Sequence, residues 1–133
     1  MLPFDFFIDG PPVSGQTKRR SLLKAWRDRV TKAAQAVWPA GHAPTSELVV
    51  VRATYFYNST APDVDNMMKP IQDALNGIVY VDDSQVADTV GRKREIGGAF
   101  VALGILPDLL ARISAGKDFV HVCVERAAPE NIK

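Results

Sequence analysis

The sequence predicts a single α/β domain in which a small mixed β-sheet packs against helices. Three observations lead to this fold class. The length of 133 residues suits one ordinary domain, and a composition of 47% apolar and 23% charged residues is typical of globular proteins. Strand-like and helix-like hydrophobic patterns alternate along the chain in the order β-α-β-α-β-α-β. We therefore expect one domain covering residues 1–133.

The first half of the chain predicts two strands and one long helix. Residues 4–8 are short and aromatic, as in a strand, and a loop rich in Gly and Pro follows. Residues 17–38 lack Gly and Pro, and their apolar side chains recur at steps of three and four, which predicts a helix. Its predicted buried stripe consists of Leu23, Trp26, Val30, Ala33 and Val37. Residues 48–58 alternate as a strand, with a packed face of Val49, Val51, Ala53, Tyr55 and Tyr57.

The second half predicts two shorter helices and two strands. The helix at 66–76 is expected to be buried through Met67, Met68, Ile71, Ala74 and Leu75. Its start stays open, because either Asn66 caps it or it begins nearer Pro70. After a short extended piece at 79–81, the pattern predicts a strand at 86–96, a helix at 106–115 and a last strand at 119–125. We expect the tail at 127–133 to fray.

Composition excludes several classes of protein. A single cysteine, Cys123, rules out a disulfide within the chain and a zinc cluster built on cysteines, and it fits a reducing cytoplasm. We expect a buried, small apolar role for it. Neither His42 nor His121 has the spacing of a metal ligand. No apolar run approaches the roughly 18–20 residues that span a bilayer, and the first residues do not resemble a signal peptide. These features predict a cytoplasmic protein that does not associate with membranes.

The formal net charge of +1 conceals two segments of opposite sign. Residues 17–32 carry seven Lys and Arg against one Asp, and three more basic residues follow one another at 92–94. One-sided basic helices suit contacts with DNA phosphates, whereas the alternative is an ordinary polar face on a surface helix. The DNA-binding candidates are Lys18, Arg19, Arg20, Lys24, Arg27, Arg92, Lys93 and Arg94.

The acidic segment at 62–88 holds six aspartates and a single base, Lys69. In an extended segment, Asp63 and Asp65 project to the same side, at a separation that a divalent cation bridges. The chain can also return the pair Asp82–Asp83 beside them, and carboxylate ligands suit Mg²⁺ or Mn²⁺. The alternative is that these residues are helix caps and turn aspartates. Lys69 either stabilises a phosphoryl oxygen or makes a simple ion pair one helical turn from Asp65.

Three linked motifs resemble those of the RusA-type Holliday junction resolvases. The family pattern is D-x-D-N-x-x-K, a helix bearing D-A-L, and D-D-x-Q-V. The chain matches it at 63–69, 72–77 and 81–86, and residues 8–12 resemble the family's opening strand and proline loop. Residues 97–117 look like a helical insertion.

The resemblance implies a RusA-like fold and a homodimer that binds four-way junction DNA. It also implies paired symmetric nicks with Mg²⁺ or Mn²⁺ during DNA recombination and repair, and an origin that is often phage or prophage. By the same resemblance, Asp63, Asp65 and Asp83 are the catalytic metal ligands and Lys69 is the catalytic lysine. We assign no metal bond to Asp82, and its role stays open. Two alternatives stay open: a metal-dependent nuclease of other branched DNA, and a catalytically silent junction-binding module.

Overall fold

A computed structural model describes residues 2–58, 66–97 and 107–128. Its elements follow the predicted alternation of strands and helices. They are β1 (Phe4–Asp9), α1 (Arg20–Val37), β2 (Val49–Tyr57), α2 (Met68–Leu75), β3 (Val86–Glu95), α3 (Pro107–Ala115) and β4 (Phe119–Arg126), with a 3₁₀ turn at Asp83–Gln85 before β3. Within the described ranges, no helix has the length and apolar content that crossing a membrane requires.

The four strands form one mixed sheet in the order β1-β4-β2-β3. Strand β4 is antiparallel to both β1 and β2, whereas β2 and β3 are parallel. Parallel neighbours need a crossover connection, and α2 lies in the one that joins β2 to β3. The prediction of a small mixed sheet packed with helices is therefore confirmed. The acidic segment forms most of this crossover.

The core lies between one face of the sheet and the two helices α1 and α2. Alternate residues of β1, β2 and β4 are buried on this face, and Val49, Val51, Ala53 and Tyr55 are each at most 2% exposed. Tyr57, predicted to join them, is half-buried at the end of β2. Helix α1 contributes Leu23, Trp26, Val30 and Ala34. Burial of this apolar surface provides the main driving force for folding.

The buried stripe of α1 differs from the predicted one at its C-terminal end. Val37 is 51% exposed, and Ala34 rather than Ala33 is fully buried. The inward position is taken by Trp38, whose ring meets Phe4 edge to face at 5.0 Å. The prediction was wrong at Val37. The helical phase sets the direction of a side chain, but burial also requires another residue that covers it.

Helix α2 begins between the two starting points that the sequence left open. Its N-cap is Met67, which makes no side-chain capping bond, and Pro70 is the third helical residue. The first four N–H groups of a helix have no partner within it, so Pro70 sacrifices no hydrogen bond. The apolar face, which consists of Met67, Met68, Ile71 and Leu75, is at most 6% exposed in a single chain. These side chains therefore belong to the core.

Candidate functional site

Lys69 lies at the centre of the described part of the acidic segment. From the first turn of α2, its Nζ donates to Asp73 Oδ1 at 2.7 Å and reaches Asp83 Oδ2 at 3.4 Å. The hydrogen bond and charge of Asp73, and then those of Asp83, stabilise the ammonium and raise the pKa of Lys69. The tertiary structure thus joins two of the predicted site residues, which are 14 positions apart in the sequence.

The neighbouring aspartates Asp82 and Asp83 have different environments. Asp82 Oδ2 accepts the Ser84 N–H at 3.1 Å. Hydrogen bonding from the Ser84 side chain, and then from the Ser84 backbone N–H, lowers the pKa of the Asp82 carboxyl. Together with Gln85, Asp82 forms a capping box that starts the 3₁₀ turn. Asp83 instead directs its carboxylate, which is 35% exposed, towards Lys69. Asp82 therefore builds the turn that presents Asp83.

Two further residues contribute to this cluster and were missed as site residues by the sequence reasoning. Asp73 is the i,i+4 partner of Lys69, a spacing that is visible in the sequence. Tyr80 is fully buried, and its hydroxyl donates to the Gln72 carbonyl of α2 at 2.7 Å. Burial, with the negative charges of Asp83, Asp73 and Asp82, raises the pKa of Tyr80, so its hydroxyl stays a donor. Tyr80 thereby ties α2 to the segment that carries Asp83.

The segment 59–65, which holds Asp63 and Asp65, lies outside the described residues, but both of its flanks are anchored. Before it, the side-chain amide of Asn58 donates to Gly116 O at 2.6 Å and to Asp118 Oδ1 at 3.0 Å. After it, Asn66 O accepts the N–H of Gly15 at 2.9 Å, which attaches the proline loop to the start of α2. Among residues 2–58, 66–97 and 107–128, no three His, Cys, Asp or Glu side chains are grouped to hold a metal ion. The ligand set Asp63, Asp65 and Asp83 therefore stays a prediction.

Comparison with known proteins agrees with these motifs. Residues 12–103 match the family model described as endodeoxyribonuclease RusA. This match covers 92 residues, more than half of the chain, and includes all three motifs. The chain belongs to the RusA family.

A curated relative matches a short part of this RusA-family chain. The uncharacterized protein YqaN of Bacillus subtilis (strain 168) is 60% identical over 30 residues. The matched stretch is 23% of this chain and 21% of the relative, so the chain spans about a fifth of that protein's length.

The predicted basic cluster on β3 is divided between the two faces of the sheet. Lys93 pairs with Tyr55, whose side chain is in the core, and therefore lies on the α2 side. Thr89 shares this face and accepts a 2.6 Å hydrogen bond from Gln72 of α2. Arg92 and Arg94 alternate with Lys93 and lie on the opposite face. Of the three basic residues, Lys93 is the one on the same side of the sheet as Lys69 and Asp83.

The basic residues of α1 also differ in their surroundings. The three at its start, Lys18, Arg19 and Arg20, are exposed. Further along, Lys24 pairs with Asp28 at 3.3 Å, and Arg27 is half-buried. Arg29, which was not a DNA-binding candidate, donates to the Asp9 carbonyl and lies over the Trp26 ring at 5.3 Å. Arg29 therefore holds α1 against the end of β1.

The other face of the sheet carries a separate polar cluster. His121 Nε2 lies 2.8 Å from Asp5 Oδ2, and the His121 ring stacks on Phe7 at 4.5 Å. Cys123 Sγ is 3.5 Å from His121 Nε2, and burial raises the pKa of this thiol to about 11. Cys123 is half-buried, whereas the prediction was a buried residue, because this face is only partly covered. A thiol with this pKa is protonated at neutral pH, which makes it a poor nucleophile.

Proposed function

We propose that this protein is a metal-dependent endodeoxyribonuclease that resolves four-way DNA junctions by paired, symmetric nicks. The observation that carries the proposal is the meeting of Lys69 with Asp83 inside the motifs of the RusA family. Paired nicks need two active sites, which we assign to a homodimer. We further propose that it acts in the cytoplasm.

The chemistry of the donor set fits Mg²⁺, or Mn²⁺ in its place. Carboxylate oxygens are the ligands that these hard cations prefer. Asp83 is partly exposed, and the turn hydrogen bonds fall to the Asp82 side chain. Lys69 approaches Oδ2 of Asp83 at 3.4 Å, and we assign the other carboxylate oxygen to the cation. We assign Asp63, Asp65 and Asp83 as the residues that hold it. When bound, the cation supplies an activated water and relieves negative charge at the scissile phosphate.

Lys69 provides a positive charge beside these carboxylates. A lysine amine is protonated in the neutral range, and the neighbouring carboxylates raise the pKa of Lys69 further. Asp73 holds the ammonium at 2.7 Å, which restrains a long and otherwise mobile side chain. We assign to Lys69 the stabilisation of charge on a phosphoryl oxygen as the phosphodiester is cleaved.

The start of α1 supports a contact with the DNA backbone. The helix has no acidic residue in its first turn, and its N-cap makes no side-chain hydrogen bond. Lys18, Arg19 and Arg20 therefore add positive charge at the positive end of the helix dipole, an arrangement that is locally unfavourable. A phosphate at this point relieves the repulsion and accepts the exposed N–H groups. We assign this helix end, with Lys24 and Arg27, to junction binding.

The decisive experiment compares Asp65→Asn with the wild-type protein on a mobile four-way junction, a fork and a plain duplex. We expect wild type to make paired nicks in the junction with Mg²⁺ and none with EDTA. Asp65→Asn should bind the junction with unchanged affinity but no longer cleave it, because a neutral amide is a poor ligand for Mg²⁺. The matched control is Asp88→Asn, which removes an exposed carboxylate of the same acidic segment on the opposite face of the sheet.

The outcomes separate the possible activities. Cleavage by Asp65→Asn that still depends on metal contradicts the assignment of the ligands. Cleavage of the fork but not of the junction indicates a nuclease of other branched DNA. Binding without cleavage by wild type indicates a catalytically silent junction-binding module.

A further inference from the structure

Gln85 is the fourth residue of the D-D-x-Q-V motif, and its side-chain amide makes all four of the hydrogen bonds that it can form. Its Oε1 accepts the N–H groups of Val81 at 2.9 Å and Asp82 at 3.0 Å. Its Nε2 donates to the carbonyls of Thr45 and Glu47, both at 2.8 Å. Because an N–H only donates and a carbonyl only accepts, these four partners also determine which way the amide points.

These four bonds connect two segments that are far apart in the sequence. Val81 and Asp82 lead directly into Asp83, whereas Thr45 and Glu47 lie just before β2. The backbone supports the same connection, because the Thr45 N–H donates to Val79 O at 2.8 Å. The turn that carries Asp83 is thus attached to the segment that enters β2, a central strand of the sheet.

Gln85 also closes the turn around Asp83. Its own N–H donates to Asp82 O at 3.0 Å, while its side chain holds the N–H groups that precede Asp83. The backbone on both sides of Asp83 is therefore restrained by one residue. The carboxylate of Asp83 is left to reach Lys69, 3.4 Å away.

We propose that Gln85 is the positioning residue that holds the Asp83 carboxylate in place for a divalent cation. This inference rests on the proposed function and deepens it, since it names what fixes one of the assigned ligands. Gln85 acts through Asp83 and has no part in the chemistry itself. A glutamine is required because the site needs two donors and two acceptor positions at the end of one side chain.

Two substitutions test the proposal. Gln85→Met keeps the length of the side chain and removes all four hydrogen bonds. Gln85→Glu keeps the acceptor for Val81 and Asp82 but directs a carboxylate at two carbonyls, so it should be intermediate. The matched control is Gln35→Met on α1, where the glutamine is exposed.

Three measurements are made on each full-length variant. Hydrogen exchange of the Val81 and Asp82 amides reports the bonds themselves, and both should lose protection in Gln85→Met. Mn²⁺ binding, followed by electron paramagnetic resonance without DNA, should weaken by about 10–100-fold, the usual effect of removing a group that orients a metal ligand. The Mg²⁺ concentration for half-maximal junction cleavage should rise by a similar factor, while the affinity for the junction stays unchanged. Gln35→Met should match wild type in all three.

The results distinguish this proposal from the proposed function. If wild type cleaves no junction but Gln85→Met still weakens Mn²⁺ binding, the proposed function fails and the positioning role stands. If the two amides lose protection while Mn²⁺ binding and Mg²⁺ dependence stay at wild-type values, Gln85 is structural and the proposal is overturned. If Gln85→Met does not fold, Gln85→Glu decides: weaker Mn²⁺ binding than wild type supports the proposal, and equal binding overturns it.

Discussion

Neutralising Lys93 should weaken junction binding more than neutralising Arg92, although the two residues are adjacent. The reason is the alternation of β3. Lys93 lies on the α2 side with Lys69 and Asp83, whereas Arg92 projects from the other face. We expect a DNA strand held at Lys69 to pass over the first of these faces, so Lys93 should contact its phosphates and Arg92 should not.

The size of the effect follows from the geometry. Lys93 is four residues beyond Thr89, where β3 touches α2, which is about 13 Å at roughly 3.3 Å per residue. One DNA strand rises about 3.4 Å along the helix axis per phosphate, so for a DNA axis parallel to β3 this distance corresponds to about four phosphates. Each phosphate contact adds about 0.9 to the slope of log affinity against log salt concentration. We take 1 M salt as the reference at which the lost contact has no effect on affinity. At 0.1 M salt, the variant should then bind about eightfold more weakly than wild type.

The assay is junction binding without metal, measured for Lys93→Gln and Arg92→Gln across a series of salt concentrations. Lys93→Gln should lower the slope by about 0.9, and Arg92→Gln should leave it close to that of wild type. Each substitution removes one positive charge, so a change in net charge alone affects them equally. Equal slopes for the two variants, or a larger loss in Arg92→Gln, would refute the reasoning.

Three further predictions concern α1, the core and the thiol. Reversing the charge at the start of α1 with Arg19→Glu and Arg20→Glu should weaken junction binding. The slope of log affinity against log salt concentration should fall by the equivalent of about two phosphate contacts. Unchanged binding would remove this helix from the interface. Ile71 is fully buried, so Ile71→Ala should lower the free energy of unfolding in urea by about 2–5 kcal/mol, and a loss below about 1 kcal/mol would contradict its place in the core. Burial raises the pKa of Cys123 from 9.0 to about 11. The folded protein should therefore contain about a hundredfold less Cys123 thiolate near pH 8 than the unfolded chain. Its reaction with a disulfide reagent should be slower by a similar factor. The folded state therefore keeps the thiol proton to a higher pH than the unfolded chain does. The contribution of Cys123 to the free energy of unfolding should fall as pH rises from about 9 to 11, and a Cys123→Ala variant should not show this fall.

The strands and helices could be predicted because their signals are local. The alternation of β2 and the apolar spacing of α1 are properties of consecutive residues, and both elements formed within a few residues of their predicted ends. The errors arose where burial depends on a distant partner. Val37 has the right helical phase but is exposed, because Trp38 packs on Phe4 in its place.

The site could be predicted in part, for a related reason. The motifs indicated Lys69 and Asp83, and the structure brings these two together. Asp73 was missed, although its spacing from Lys69 is that of a helical ion pair. Gln85 is part of the D-D-x-Q-V motif, but the sequence did not indicate its bonds to Thr45 and Glu47, because these partners are 40 and 38 residues away.

By itself, the sequence determined the order of elements, the acidic and basic segments and the motifs of the RusA family, since each is a pattern within a continuous stretch of chain. The tertiary structure decided which of those residues meet. It placed Asp83 against Lys69, and it decided that the face of β3 carrying Lys93, and not the face carrying Arg92, lies towards α2. The physical reason is that strand register and helix packing join residues far apart in the chain, and no local pattern specifies that geometry.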